Sequence, residues 1–238
     1  MIAANRKMKI ILNPKYEFLR HYMEHLEYHF DHEGREIHKG RNVIRTLTTH
    51  GLTLCVKRYA PPSFRRQVQQ YVYKASKGHQ AYLRPMQLRE RGFESPESVA
   101  LVRCRHGLWR MTTYFVCLQS TYRYNLVTLA TAPEAEQADV LPHFARFAAR
   151  LHEDGFLHRD FSSSNILYDK VGDRYHFALV DTNSMKCGSA VSIEAGCRNL
   201  AQLTGGDAFF SQLATLYAQE RHADPALCTR LINNARSR

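Results

Sequence analysis

The segment Leu157-His158-Arg159-Asp160-Phe161-Ser162-Ser163-Ser164-Asn165-Ile166-Leu167-Tyr168 constrains this chain more than any other. It carries the pattern H-R-D-x-x-x-x-N and runs straight into an apolar strand. Sixteen residues after Asn165, the apolar run Phe177-Ala178-Leu179-Val180 ends in Asp181. The polar stretch Asp169-Lys170-Val171-Gly172-Asp173 between the two runs reads as the turn of a hairpin. Far upstream, Leu54-Cys55-Val56 leads into Lys57. Alternation along a strand places Lys57 and Cys55 on the same side.

The 238 residues suffice for one large domain or two small lobes, and a 44% hydrophobic fraction is that of a globular chain. No run approaches the roughly 20 apolar residues that span a bilayer. Ile10-Ile11-Leu12 is too short an apolar run for a secretory signal. Six scattered cysteines (Cys55, Cys104, Cys117, Cys187, Cys197 and Cys228) form no C-x-x-C pair and read as reduced thiols of a cytoplasmic protein. A net charge of +11 favours an anionic partner: nucleotide phosphates, nucleic acid, anionic lipid or a phosphorylated glycan. It does not choose among them, and a solvated basic surface explains it equally well.

Residues 16–29 have near-helical apolar spacing (Tyr16, Phe18, Leu19, Tyr22, Met23, Leu26), and Asp31 to Gly34 end that helix. Residues 36–47 and 52–59 read as strands joined by a turn at His50-Gly51, with Pro61-Pro62 ending the second. A basic helix follows over 76–91 and stops at Gly92, with Pro85 predicting a kink or a fresh start. Strands are expected at 98–104 and 111–118. From residue 138 the pattern is helical, with Leu141, Phe144, Ala148 and Leu151 on one face and Gly155 at the end. Phe209, Phe210, Leu213, Leu216 and Tyr217 make a second buried helical face. A sheet-rich first half and a helix-rich second half are α+β.

Lys57, Asp160, Asn165 and Asp181, in that order, are the set that phosphoryl transfer from magnesium-bound ATP requires. With them stand Gly40-Arg41-Asn42-Val43-Ile44, Ser76-Lys77 at a helix start, Gly92 followed by Ser95-Pro96-Glu97, and Val180-Asp181-Thr182-Asn183. On these residues the chain resembles the protein kinase-like superfamily. It is most similar to the bacterial lipopolysaccharide core kinases, the Kdo and heptose kinases, over roughly residues 34–220.

The resemblance implies a two-lobed protein kinase-like fold with a reduced, mostly helical C-lobe. The N-lobe is then 1–118 (N-terminal helix, antiparallel sheet, one crossing helix) and the C-lobe 119–238 (catalytic loop, metal-binding strand end, short helical tail). Asp160 is implied as the catalytic carboxylate for the attacking hydroxyl. Asn165 and Asp181 are implied as magnesium ligands, and Lys57 as the contact to ATP phosphates. The implied acceptor is a sugar of the lipopolysaccharide inner core. A peripheral contact with an anionic membrane, through Arg65, Arg66, Lys74, Lys77, Arg84, Arg89 and Arg91, stays open beside a plain solvated helix face.

Each residue has a plainer reading. Asp160 caps a helix or pairs in a salt bridge, Asn165 caps a turn, Asp181 merely ends a strand, and Lys57 is an exposed edge-strand lysine. His158 reads as packed beneath the loop; Arg159 holds an anion or backbone carbonyls. The chain also departs from the protein-kinase pattern. No G-x-G-x-x-G lies between Gly34 and Gly40, and the expected helix glutamate falls near Leu83, with only Gln80 and Gln87 as polar neighbours. D-F-G is Asp181-Thr182-Asn183, and Ala132-Pro133-Glu134 precedes Asp160, so its match to A-P-E is coincidence. These departures motivate a second reading, a pseudokinase acting as a nucleotide-binding or scaffold module. With 57 residues after Asp181 there is room for two or three helices, which disfavours a protein substrate. Nucleic-acid binding ranks last, because no recognition motif accompanies the charge.

Overall fold

The computed structural model describes residues 8–60, 77–106 and 110–237, without the side chains of Lys77 and Arg110. Pro61-Pro62, Arg65, Arg66, Lys74 and Ser76 lie outside the described residues. The chain divides into two compact units, residues 1–87 with 96–120 and residues 88–95 with 121–238.

The first unit contains β1 (Met8–Leu12), a 3-10 turn (Pro14–Leu19), α1 (Arg20–Glu24), α2 (Leu26–His32), β2 (Arg35–Lys39), β3 (Val43–Thr49), β4 (Leu52–Tyr59), most of α3 (Lys77–Glu90), β5 (Ser98–His106) and β6 (Arg110–Leu118). Its six strands run β1-β5-β6-β4-β3-β2, each antiparallel to its neighbours. The apolar period over 16–29 is used in three pieces rather than one helix, because the 3-10 turn and a break at His25 interrupt it. Tyr16, Leu19, Met23, Leu26 and Phe30 are nevertheless buried in one core with Leu54, Val56, Val102 and Val116. Tyr22 only packs against it, and Phe18, also in the expected apolar set, is exposed because the 3-10 turn carries it off that face.

The segment expected as a single strand over 36–47 is two strands. It folds back at Gly40-Arg41-Asn42, where the Gly40 N–H donates to the Asn42 carbonyl at 3.1 Å. At the next turn His50 and Gly51 both have positive φ, 50° and 72°. That is the backbone of a two-residue hairpin turn whose twist matches its strands. Pro85 lies inside α3, and the helix runs through it without ending. Gly92, at φ 74°, closes α3. Its N–H donates to the Arg89 carbonyl at 3.0 Å and that of Phe93 to the Leu88 carbonyl at 2.9 Å, with Leu88 and Phe93 buried together.

The second unit contains β7 (Tyr124–Asn125), α4 (Leu126–Ala130), α5 (Glu134–Glu153), β8 (Phe156–Leu157), β9 (Ile166–Val171), β10 (Arg174–Leu179), β11 (Lys186–Cys187), α6 (Ile193–Leu200), α7 (Asp207–Glu220) and α8 (Pro225–Arg236). Strands β10-β9-β7 form one small sheet, and β11-β8 form another. Leu141, Phe144, Ala148 and Leu151 of α5 share a core with Phe161, Ile166, Phe177, Leu179, Phe210, Leu213 and Tyr217. Leu216, expected in the buried face, only packs against its margin.

Gly155, just beyond α5, has φ 78°, and a Cβ there would stand 2.0 Å from the Gly188 carbonyl oxygen. Gly172, in the β9–β10 turn, has φ 61° with open space around it. Gly172→Ala is therefore expected to cost only the left-handed backbone term, about 1–2 kcal/mol. Gly155→Ala adds a backbone clash and is expected to cost about 3 kcal/mol or more. Urea unfolding of the two variants checks this; equal losses would mean that the Gly188 backbone moves aside.

Candidate active site

Asp160, Asn165 and Asp181 are brought together in the second unit by the topology of β9 and β10. The β9–β10 pairing is antiparallel, with Ile166 opposite Leu179. Asn165 immediately precedes that pair, and Val180-Asp181 immediately follow it, so both stand at one end of the ribbon. The Val180 N–H donates to the Asn165 carbonyl at 3.0 Å and extends the ladder by one step. The Asn165 Nδ2 donates to the Asp160 carbonyl at 3.0 Å, tying the third residue to the other two. Asn165 thus has its amide nitrogen committed and its Oδ1 left as an oxygen donor.

The loop carrying Asp160 is held from below. The Phe161 N–H donates to Gln202 Oε1 at 3.1 Å, and the Thr204 N–H donates to Ser163 Oγ at 2.8 Å. Phe161 is fully buried. Asp160 and Arg159 are exposed at the surface of this frame. The Ser95 hydroxyl donates to the Leu179 carbonyl at 2.7 Å and pins the strand that ends in Asp181.

His158 is fully buried, and both ring nitrogens are engaged. Its Nε2 is 3.0 Å from the Val180 carbonyl, and its Nδ1 is 3.2 Å from the Asp160 N–H. A carbonyl only accepts and an amide only donates, so the ring carries its proton on Nε2 and is neutral. Burial pushes its pKa below the ordinary histidine value, against the opposing pull of the Val180 carbonyl, Asp160 and Asp181.

Asp181 has φ 53° and ψ 41°, in the left-handed region. Few side chains other than Asn and Asp tolerate that backbone, which costs on the order of 1–2 kcal/mol. The Asn183 Nδ2 donates to Asp181 Oδ1, so the residue in the place of a D-F-G glycine orients the carboxylate. Among the described residues no group of three or more His, Cys, Asp or Glu is placed to hold a metal. A cation bound here would have to be held by Asp181 and Asn165, with further oxygens from water or substrate.

Lys57 belongs to the first unit. It lies on β4, opposite Ile44 of β3 and Phe115 of β6. Its strand is therefore interior, which removes the edge-strand reading. The ammonium stands 5.4 Å from the centre of the Tyr59 ring. Cys55, two residues back on the same strand, has its thiol pKa lowered chiefly by a hydrogen bond from Cys117, with the Lys57 charge adding to it against the opposing effect of burial. Leu83, Gln80 and Gln87 all lie on α3. Gln87 Oε1 accepts from Arg84 at 2.6 Å. Asn42, at the tip of the β2–β3 hairpin, accepts the Ala60 N–H at 3.1 Å and fixes that turn to the end of β4. Of the basic residues singled out in the sequence, Arg89 and Arg91 are exposed.

Sequence reasoning passed over the residues that hold the loop: Asn199 and Gln202 at the end of α6, Thr204, and His152. A signal was present. His152 falls one turn after Ala148 on the apolar face of α5, and Asn199 sits among the buried Cys197 and Leu200 of α6. Polar residues on apolar faces need partners.

No family model matches the sequence, and no curated protein matches it. A solved structure described as WaaP in complex with acyl carrier protein is similar over 96% of this chain and 98% of that chain, with a TM-score of 0.61 at 16% identity. That likeness shows the fold alone. The fold class is α+β, with a six-stranded antiparallel sheet ahead of a mostly helical region, consistent with a protein kinase-like fold.

Proposed function

We propose that this protein is an ATP- and magnesium-dependent kinase that phosphorylates a sugar hydroxyl, Kdo or heptose, of the lipopolysaccharide inner core. The observation that carries the proposal is the hydrogen-bonded frame joining Asp160, Asn165 and Val180-Asp181. It presents two carboxylates and one amide oxygen from a loop whose backbone is fixed by Asn199, Gln202 and Ser163. Magnesium takes hard oxygen ligands and is commonly held by one or two carboxylates plus phosphates, so the Asp181–Asn165 donor set fits it. When bound, the metal supplies neutralisation of phosphate charge.

In this reading Asp160 accepts or orients the proton of the acceptor hydroxyl, and the rigid loop holds that carboxylate in register. Lys57 contacts the nucleotide phosphates. The tether between Asn183 and Asp181 keeps the carboxylate oriented without a glycine hinge. The sequence resemblance to lipopolysaccharide core kinases supports the acceptor class, and the similar solved structure supports the fold that would carry the reaction. Cytoplasmic location and a peripheral contact with an anionic membrane through the basic residues belong to the same proposal. Among the described residues no helix is long and apolar enough to cross a membrane.

The second reading, a nucleotide-binding or scaffold pseudokinase, is favoured by the missing helix glutamate and glycine-rich motif. The two separate on melting curves with ATP, with and without magnesium. A kinase is expected to melt several degrees higher only when both are present. Labelled ATP offered with core glycolipids, free sugars and peptides then identifies the acceptor. No shift with nucleotide and no labelled product would sink the kinase proposal.

A further inference from the structure

A buried chain of hydrogen bonds runs from the far end of α7 to the Asp160 loop, and its direction can be read link by link. The Arg221 Nη1 can only donate, and it donates to the Tyr217 hydroxyl oxygen at 2.7 Å. The Tyr217 proton is then free to go to His152 Nδ1 at 2.8 Å. That leaves His152 Nε2 as the protonated nitrogen, donating to Asn199 Oδ1 at 3.2 Å. The Asn199 Nδ2 in turn donates to the His158 carbonyl at 2.8 Å. His158 closes the chain through its ring, which accepts the Asp160 N–H and donates to the carbonyl of Val180, the residue before Asp181.

All four inner members are hidden: Tyr217, His152 and His158 are fully buried, and Asn199 is 3% exposed. Water cannot replace a lost partner there, so each link is costly to break and fixes the next in one orientation. Gly196 of α6 shows that the fold makes room for this contact. A Cβ at that position would lie 2.1 Å from the Tyr217 hydroxyl and 3.0 Å from His152 Nδ1.

We propose that Tyr217, His152 and Asn199 are positioning residues that set the backbone of the Asp160 loop through this one-way relay. They touch no reacting atom in the proposed kinase; they act through His158. The catalytic consequence rests on the kinase reading, whereas the relay itself does not.

The test is amide hydrogen exchange at Asp160 together with steady-state kinetics of the full chain. Tyr217→Phe removes one hydroxyl and nothing else; Asn199→Ala removes the next link; Gly196→Ala crowds the contact without deleting a polar group. Each is expected to speed exchange of the Asp160 amide by at least about tenfold while amides in the middle of α5 keep their rates. kcat is expected to fall about tenfold with KM for ATP within about twofold, as misplacement of a loop does. His152→Gln keeps one acceptor and one donor and is expected to restore both readouts, whereas His152→Leu is not. Wild-type exchange at Asp160 in folded Tyr217→Phe and Asn199→Ala proteins overturns the relay, whatever the activity. Faster exchange in the variants of a protein that turns over no ATP upholds the relay and overturns the kinase reading instead.

Discussion

Asp181→Asn is expected to leave the protein folded and to lower magnesium-dependent ATP turnover by about 10³-fold or more, the scale of removing a charge aimed at a phosphoryl transition state. The substitution isolates charge from backbone. Asn tolerates the left-handed region almost as well as Asp, so the φ of 53° at this position is no obstacle to the variant. Asp181→Ala combines both effects and is expected to be equally inactive but also less stable, because alanine pays the full left-handed cost of roughly 1–2 kcal/mol. The measurement is an ADP-release assay at saturating ATP over a magnesium titration, with thermal melting alongside. Undiminished turnover in a folded Asp181→Asn protein would remove Asp181 from the metal site. It would leave Asn165 as the remaining assigned ligand, too little for magnesium.

Stability is expected to fall as pH drops from about 6.5 to about 4 because of His152. Burial against Tyr217 and Phe161 pushes its pKa down to about 4 from an ordinary 6.5, against the opposing hydrogen bond to Asn199, and the nearby Arg221 charge adds to the lowering. The unfolded chain therefore binds a proton in this window that the folded chain refuses. Protons then favour unfolding, and stability rises with pH through the window. At about 1.4 kcal/mol per pH unit, the group costs roughly 3 kcal/mol by the bottom of the window. His158 contributes with the same sign, since its pKa is also lowered by burial. Urea unfolding of wild type and His152→Gln at pH 7 and pH 4.5 separates this histidine from the carboxylates common to both. The wild type is expected to lose more on acidification. Parallel losses would show that His152 is charged, or exposed, in the folded protein.

The contrast between these two residues also marks where sequence and tertiary structure divide the work. Asp181 was legible because an apolar run ending in an aspartate, sixteen residues after an H-R-D-x-x-x-x-N segment, is a local pattern. So were the paired strands around Gly172, the turn at His50-Gly51 and the glycine stop after α3. Each of these depends on dihedral preferences and alternation within a few residues. His152 was not legible as a functional residue. Its partners are Asn199 and Tyr217, 47 and 65 residues away, and only packing brings them together.

Local chemistry decided which strands, turns and helix ends this chain forms and which polar side chains stand at the open end of the β9–β10 hairpin. The break of the first helix at His25, the passage of α3 through Pro85 and the interior place of Lys57's strand are visible only in the tertiary structure. So is the orientation of the Asp160 loop. The physical reason is that a backbone turn is selected by its own residues, whereas the orientation of a buried hydrogen-bonded loop is selected by whichever partners the core leaves within reach.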